Sequence, residues 1–159
     1  MNDAEPEILA QITPSQPRRI FATGTLGMLG LLMVWMAVTS GTSAGYQIML
    51  VLLGAGASTL AWVLWQATSD YLVLTPEALQ TSKGDVVARV ANVRSVDRGA
   101  FAFKPSNGFL LTLKTPGRGV WAPGLWWRFG RRVGVGGVTA AHEAKATAEA
   151  IMMRINPDV

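Results

Sequence analysis

The apolar stretches IFATGTLGMLGLLMVWMAVT (residues 20–39) and YQIMLVLLGAGASTLAWVLWQAT (residues 46–68) decide the organisation of this chain. Neither contains Asp, Glu, Lys, Arg or His, and the loop 40–45 between them is also uncharged. About 20 residues in a helix span roughly 30 Å, which matches the hydrocarbon core of a bilayer. The sequence therefore predicts a transmembrane helical hairpin over residues 18–69.

The parts of the chain on either side of this hairpin differ in charge. Residues 1–17 carry three acids and three prolines and no basic residue, so we expect a polar tail that is disordered or bound to a partner. Residues 70–159 are enough for one small hydrophobic core. From residue 71 onward, twelve Lys and Arg stand against six Asp and Glu, and this excess favours contact with anionic phospholipid headgroups of the bilayer.

Composition excludes several kinds of chemistry. The chain has no cysteine, which rules out disulfides, thiolate metal sites and a cysteine nucleophile. His142 is the one histidine, and we expect it to face solvent on a helix. There is no Gly-x-Ser-x-Gly nucleophile elbow, and the acids form no pair suited to acid–base catalysis. We therefore expect a protein that is not an enzyme and that holds no metal and no cofactor.

Charge placement predicts the orientation of the hairpin. Arg18 and Arg19 precede the first apolar run, and the connecting loop has no basic residue. Four bases follow the second run at a short distance, namely Lys83, Arg89, Arg94 and Arg98. By the positive-inside rule, both flanks and hence both termini are expected in the cytoplasm, in a multi-pass protein.

The short loop also predicts that the two helices run antiparallel and in contact. Helices in lipid associate through close backbone approach over small residues. The candidate packing residues are Gly24, Gly27 and Gly30 in the first helix, and Gly54, Ala57, Ser58 and Ala61 in the second.

An alternative interpretation treats residues 1–44 as a cleaved leader. The segment PRRIF (17–21) is similar to the core of a twin-arginine leader, and TSA (42–44) is similar to a small-residue cleavage site. The first apolar run is longer than the 7–15 residues typical of a leader core. The membrane hairpin is therefore the favoured interpretation.

The domain after residue 70 reads as short strands followed by one helix. Alternation and turn residues predict strands at 71–75, 78–82, 86–90, 93–98 and 109–115, and more weakly at 119–121 and 132–135, with a loop at 122–130. A helix is predicted over 140–154, with Thr139 as its N-cap. Its apolar stripe would lie on the sheet and consists of Ala141, Ala144, Ala148, Ile151, Met152 and Ile155.

The residues at the start of this domain resemble a known family. YLVLTPEAL (71–79), the Lys-Gly-Asp turn at 83–85 and VRSV (93–96) resemble the opening of bacterial PH-like domains, which follow a two-helix transmembrane hairpin in membrane proteins. The resemblance implies a membrane hairpin plus an α+β domain, a small antiparallel PH-like β-barrel or sheet with a C-terminal amphipathic helix. It also implies the bacterial inner membrane and a scaffolding or regulatory role, and it carries over no catalytic residues.

The stretch WAPGLWWRFGRR (121–132) is the most unusual part of the domain. Five bases and no acid lie between residues 114 and 137. Tryptophan suits the polar–apolar boundary of a bilayer, and guanidinium groups pair with phosphate. We expect a loop that contacts the membrane or a partner protein, although the tryptophans could instead be core. The candidate interface residues are Trp121, Trp126, Trp127, Arg128, Arg131 and Arg132.

A glycine-rich turn precedes the last helix. Amides of such a turn at a helix N-terminus can hold an anion, so Gly134, Gly136, Gly137 and Thr139 form a possible anion-binding turn. A tight structural connection is the competing interpretation. The pattern lacks the Gly-Lys-Ser/Thr of a P-loop, which argues against a nucleotide.

These observations lead to an expected function. The cytoplasmic domain would serve as an adaptor, accessory subunit or assembly partner at the inner membrane, through a membrane protein partner or self-association. The alternative is a module that senses anionic lipid or phosphate. No nucleic-acid module is recognisable, so nucleic acid is not an expected partner.

Overall fold

The computed structural model describes residues 7–99 and 105–156, which form two compact units. Residues Gln16–Gln66 are one unit and contain two helices. The described residues before Gln16 combine with those described from Ala67 onward into the second unit, where the strands and α-helix 141–155 lie. Residues 1–6 of the predicted tail and Pro157, predicted to end the last helix, lie outside the described residues.

The helical unit consists of α1 (Gln16–Thr39) and α2 (Ala44–Ala67). At 24 residues, each helix is about 36 Å long. Both are long enough and apolar enough to cross a membrane, and they are the two candidate spans within the described ranges. Most of their large apolar side chains are exposed, unlike those of a core helix in a soluble protein. The predicted pair of long apolar helices is confirmed.

The two helices approach most closely where each lacks a side chain. A Cβ placed on Gly30 would overlap the Ser58 hydroxyl and would lie 2.8 Å from the carbonyl oxygen of Gly54. A Cβ on Gly54 would in turn lie 2.7 Å from the carbonyl oxygen of Gly30. Gly30 and Gly54 therefore set the spacing of the pair. A Cβ on Gly27 would lie 3.9 Å from the Cβ of Ala61, an ordinary contact.

The other predicted packing residues contribute less. Around Gly24, no described atom of a neighbouring element lies within 4 Å of a Cβ placed there. Ala57 is half-buried. Only part of the small-residue pattern is thus used for close contact between the helices.

The second unit contains two antiparallel sheets in the described part of the chain. The first has the order β1 (Ala10–Ile12), β2 (Leu72–Leu74), β3 (Ala78–Thr81) and β4 (Val86–Arg89). The second has the order β5 (Val93–Asp97), β6 (Phe109–Ala122) and β7 (Trp126–Val135). A 3₁₀ turn, Val90–Asn92, connects the sheets.

The predicted barrel is not closed. No ladder joins the two sheets within the residues that the structure describes. The 3₁₀ turn interrupts the extended chain between β4 and β5, and β4 and β7 are left as edges of their sheets. At that edge, carbonyl oxygens of Val86 and Val87 accept hydrogen bonds from the Arg128 guanidinium on β7, at 3.3 and 3.1 Å. A side chain therefore takes the place of main-chain pairing.

The β6–β7 hairpin corrects the gap at residues 116–118 between two predicted strands. The strand over 109–115 was expected to end before Pro116, and residues 122–130 were expected to form a loop. In the structure β6 runs on to Ala122, and β7 already begins at Trp126. The pairing register slips between Thr112 and Gly117 and again before Val120, which accommodates a proline that has no amide to donate.

The last helix, α3 (Ala141–Ile155), lies one residue further along the chain than predicted. Its stripe is largely confirmed, because Ala144, Ala148 and Ile151 are buried in the common core, whereas Ala141 is exposed. Thr139 was wrong as the N-cap. Ala140 takes that position without a side-chain cap, and Thr139 is fully buried in a bridge to Pro14.

The N-terminal segment is the largest correction to the sequence analysis. It was expected to be disordered or bound to a partner, but Ala10–Ile12 forms β1 and pairs with β2 of the same chain. Ile12 is 0 % exposed and belongs to the core shared by both sheets and α3. The Thr13 amide and hydroxyl donate to the Glu143 carboxylate at 2.6 and 2.7 Å. Composition alone could not reveal this strand, because its partners lie 60 or more residues away.

Candidate functional site

The fold brings together the two segments that the sequence singled out. The tip of the β6–β7 hairpin bends back so that the carbonyls of Gly124 and Leu125 accept hydrogen bonds from Val138 and Gly136, at 3.0 and 2.9 Å. A cavity of about 240 Å³ lies between the tip and the glycine-rich turn. Its lining residues are Pro105, Trp121, Ala122, Pro123, Gly124, Trp126, Trp127, Gly136 and Gly137.

The three tryptophans of this hairpin have different environments. Trp126 is 5 % exposed and belongs to the core, as one of the alternative interpretations proposed. Trp127 is half-buried, and its indole fills the space where a Cβ on Gly134 would lie. Trp121 is 58 % exposed. Only Trp121 and part of Trp127 are therefore available to a partner.

Phe129 extends the exposed aromatic surface and was missed in the sequence analysis. Trp121 and Trp127 are paired in register, so their side chains leave the hairpin on the same face. The Trp127 and Phe129 ring centroids lie 5.7 Å apart, and Phe129 is 58 % exposed. The spacing Trp127-x-Phe129 was the available signal, because side chains two residues apart share a face of a strand.

Arg128 is a structural residue rather than a free surface charge. Its Nε donates to the carbonyl oxygen of Arg118 at 2.8 Å, in addition to the bonds across to β4. A Cβ on Gly117 would lie 3.0 Å from the same Nε, so the glycine leaves room for this side chain. The guanidinium thus joins the two sheets.

Arg131 and Arg132 are exposed and lie just beyond a bend in β7. Gly130 has a φ of 58°, a left-handed conformation that glycine adopts without strain, and it sits at the bend. We refer to Trp121, Phe129, Arg131 and Arg132 as the hairpin surface. It combines two large aromatic rings with two guanidinium groups.

The glycine-rich turn does not offer the donors that an anion-binding turn requires. The amides of Gly136, Gly137 and Val138 donate to the carbonyls of Leu125, Ser106 and Gly124, at 2.9, 2.7 and 3.0 Å. The Ala140 amide donates to Thr13. Gly134 is covered by Trp127, and the Thr139 hydroxyl donates to the Asn107 carbonyl at 3.5 Å. The geometry matches the competing interpretation, a tight structural connection.

The remaining titratable groups near α3 are placed for structure. The His142 side chain is 85 % exposed, which confirms that it faces solvent. Arg98 donates to Glu149 at 2.9 Å and thereby links the segment after β5 to α3. This hydrogen bond, helped by the charges of Arg98 and Lys145, holds the pKa of Glu149 below its ordinary range, against a smaller opposing effect of desolvation.

The helical unit holds one contact that sequence reasoning missed. Arg19 donates to the carbonyl oxygen of Trp65 at 3.0 Å, and its guanidinium carbon lies 3.8 Å from the centre of the Trp65 ring. This cation–π attraction joins α1 to α2 near one end of the helical pair. The signal was the position of both residues at the same end of an antiparallel pair.

Comparisons with protein-family models, with curated proteins and with solved structures found no match to this chain.

Proposed function

We propose that this chain is a non-enzymatic integral membrane protein whose α+β unit is a PH-like module. The module serves as an adaptor, accessory subunit or assembly partner on the cytoplasmic face of a bacterial inner membrane. The order of the strands and helices along the chain, and the pairing of β1 with β2, support this proposal.

The observation that carries the proposal is that β1 and β2 belong to one sheet although both candidate membrane helices lie between them in sequence. Ile12 on β1 pairs with Leu72 on β2. If α1 and α2 cross a bilayer, both ends of the helical pair must lie on the same side, because one folded unit includes both. Basic residues at both flanks favour the cytoplasmic side.

The strand pattern supports the PH-like assignment. A four-stranded antiparallel sheet is followed by a three-stranded one and then by a C-terminal helix that packs on the shared core. Antiparallel strands followed by one C-terminal helix agree with what the resemblance of residues 71–96 implies, except that β1 here precedes the two helices. The first strand, β1, precedes α1 and α2 in the chain. The pair of membrane helices would therefore be an insertion within the module.

Cleavage of a leader after residue 44 would destabilise this module. It would remove β1, the buried Ile12 and the Thr13 partner of Glu143. The proposal therefore keeps the N-terminal segment as part of the working protein.

The side chains that could take part in catalysis are engaged in structural contacts or stand in solvent, which favours a binding role. Glu143 accepts hydrogen bonds from Thr13, Arg128 joins the sheets, and the exposed His142 lies 4.0 Å from Glu143. The hairpin surface, in contrast, is exposed and chemically suited to contact. A module with such a surface is best explained as one that works by docking and not by catalysis.

The topology can be tested directly because the native chain has no cysteine. Single cysteines at Gln11, Thr42 and Met153, all exposed positions, would be labelled with a membrane-impermeant maleimide in intact cells and in inverted vesicles. We expect Gln11→Cys and Met153→Cys to react only in inverted vesicles, and Thr42→Cys only in intact cells. Labelling of positions 11 and 153 from opposite sides would contradict the proposal.

The adaptor role needs a second experiment. The tagged full chain would be cross-linked in native membranes and purified in mild detergent, with the fraction bound to each partner quantified. We expect one membrane protein, or a second copy of the chain, at fixed stoichiometry. Recovery of monomer alone under cross-linking conditions would contradict an adaptor or accessory role.

A further inference from the structure

We propose that the hairpin surface docks onto anionic lipid headgroups of the bilayer in which the chain is anchored. This inference rests on the proposed function, because it requires the chain to be held in a membrane. It names the contact surface and its partner, neither of which follows from the membrane helices alone.

The aromatic half of the surface has the chemistry of the headgroup layer. Trp121 and Phe129 are each 58 % exposed, although the unit has a well-formed core that includes the neighbouring Trp126. Trp127 lies between them, paired with Trp121 in register and in ring contact with Phe129. The exposed rings are therefore supported from below, so they can enter an interface without rearrangement of the hairpin.

The basic half provides charge complementarity. No Asp or Glu occurs between Asp97 and Glu143, whereas five bases occur between residues 114 and 132. Arg128 is occupied by carbonyl groups of the fold, but Arg131 and Arg132, two and three residues after Phe129 on β7, remain exposed. Each base near an anionic membrane surface strengthens attachment by about fivefold.

Lipid is favoured over an acidic protein because of the covalent tether. Only residues 68–71 join α2 to β2. If α2 crosses a bilayer, this short connection keeps the unit close to the lipid headgroups, so their effective concentration is high. Weak attractions of a few bases and rings are then sufficient for docking. A soluble acidic protein would lack this advantage.

The experiment places a reporter beside the surface in the full chain. A Cβ on Gly119 would make only ordinary contacts, 3.8 Å to Phe129 and to the Arg128 carbonyl, so Gly119→Cys fits the fold. The cysteine would carry an environment-sensitive fluorophore. The protein would be reconstituted in nanodiscs of phosphatidylcholine, with or without phosphatidylglycerol. Met153→Cys, exposed on α3, is the matched reporter away from the hairpin.

We expect the fluorophore at position 119 to shift to the blue and to be quenched by nitroxide lipid only in discs that contain phosphatidylglycerol. High salt should reverse both effects, because it shortens the Debye length to about 3 Å at 1 M. Position 153 should not respond to the anionic lipid.

Two charge-matched double variants sharpen the test. Arg131→Gln with Arg132→Gln should weaken docking by roughly 25-fold, from about fivefold for each base. Arg89→Gln with Arg94→Gln removes the same charge from exposed positions on other strands and should cause a much smaller change. Equal effects of the two pairs would overturn the assignment of the contact to the hairpin surface.

Other outcomes separate the two proposals. If the chain stays in the disc but position 119 responds in neither lipid, the docking proposal is overturned and membrane anchoring stands. If the chain is not retained in discs at all, the proposed function fails and the docking proposal fails with it. A shift that requires an added acidic membrane protein, and not phosphatidylglycerol, would assign the surface to a protein and overturn the lipid contact.

Discussion

Arg128 and Arg132 lie four residues apart on β7 and carry the same charge, but their surroundings differ. Arg128 donates to carbonyls of β4 and of Arg118, whereas Arg132 is exposed. In the sequence both arginines belong to one basic run. Their roles differ because Arg128 lies within hydrogen-bond distance of the β4 carbonyls. A guanidinium that serves several buried or edge carbonyls stabilises a fold, because those acceptors would otherwise lack a partner.

We therefore expect Arg128→Ala to lower the free energy of unfolding by about 1–3 kcal/mol. Arg132→Ala, the matched control, should change it by about 0.5 kcal/mol or less. Denaturant unfolding of the detergent-solubilised protein, followed by tryptophan fluorescence, measures both. Equal stability of the two variants would show that Arg128 does not join the sheets in solution.

Glu149 provides a prediction about pH. Its pKa is lowered chiefly by the hydrogen bond from Arg98, so its ionised form is favoured in the folded state. The stabilising contribution is present above the pKa of the unfolded state and is lost as pH falls through the lower folded-state pKa. Arg98→Gln should raise the pKa of Glu149 towards its ordinary range in an NMR titration. An unchanged pKa would assign the shift to another cause.

At the scale of elements, the two helices and the long hairpin show how small residues set geometry. Gly30 and Gly54 lack a Cβ, and the carbonyl group of each helix lies close to the place where the Cβ of the other glycine would be. Gly134 leaves space for the Trp127 indole in the same way. At each of these positions the absence of a side chain leaves room for a neighbouring backbone group or ring.

Gly30→Ala should push the helices apart, because the new methyl group would meet backbone atoms of α2 that cannot move locally. Overpacking of this kind costs about 1–3 kcal/mol. Gly24→Ala is the control, since a methyl group there meets no described atom of a neighbouring element within 4 Å. Thermal unfolding in detergent should show a lower midpoint for position 30 only. Equal midpoints would argue against the close contact.

At the scale of the whole molecule, the N-terminal segment completes a unit whose other residues follow the two candidate membrane helices. Ile12 contributes to the same core as β2, β6 and α3. The unit therefore cannot be complete until the chain on both sides of the hairpin has been made.

Ile12→Ala should destabilise this unit by about 2–5 kcal/mol, because it leaves a cavity in the core. Gln11→Ala changes an exposed residue of the same strand and should have little effect. Hydrogen–deuterium exchange reads this out locally. The amides of Leu72–Leu74 should exchange faster in Ile12→Ala than in Gln11→Ala, and equal exchange would contradict a role for β1 in the core.

The candidate site was predictable in part. The aromatic and basic composition of residues 121–132 identified the hairpin, because large rings and guanidinium groups in one uncompensated run are visible in sequence. The roles of individual residues were not visible. Trp126 became core, Arg128 became a link between sheets, and Phe129 became exposed, according to the curvature of a hairpin whose tip bonds to Gly136 and Val138.

The sequence by itself determined the two long apolar helices, most of the strands after residue 70 and the apolar stripe of α3, because each depends on periodicity or length within one segment. Only the tertiary structure decided that β1 joins the sheet, that the sheets stay open, and that the glycine-rich turn spends its amides internally. Those outcomes depend on hydrogen-bond partners far away in sequence. Local patterns carry no information about which distant donor or acceptor will be present.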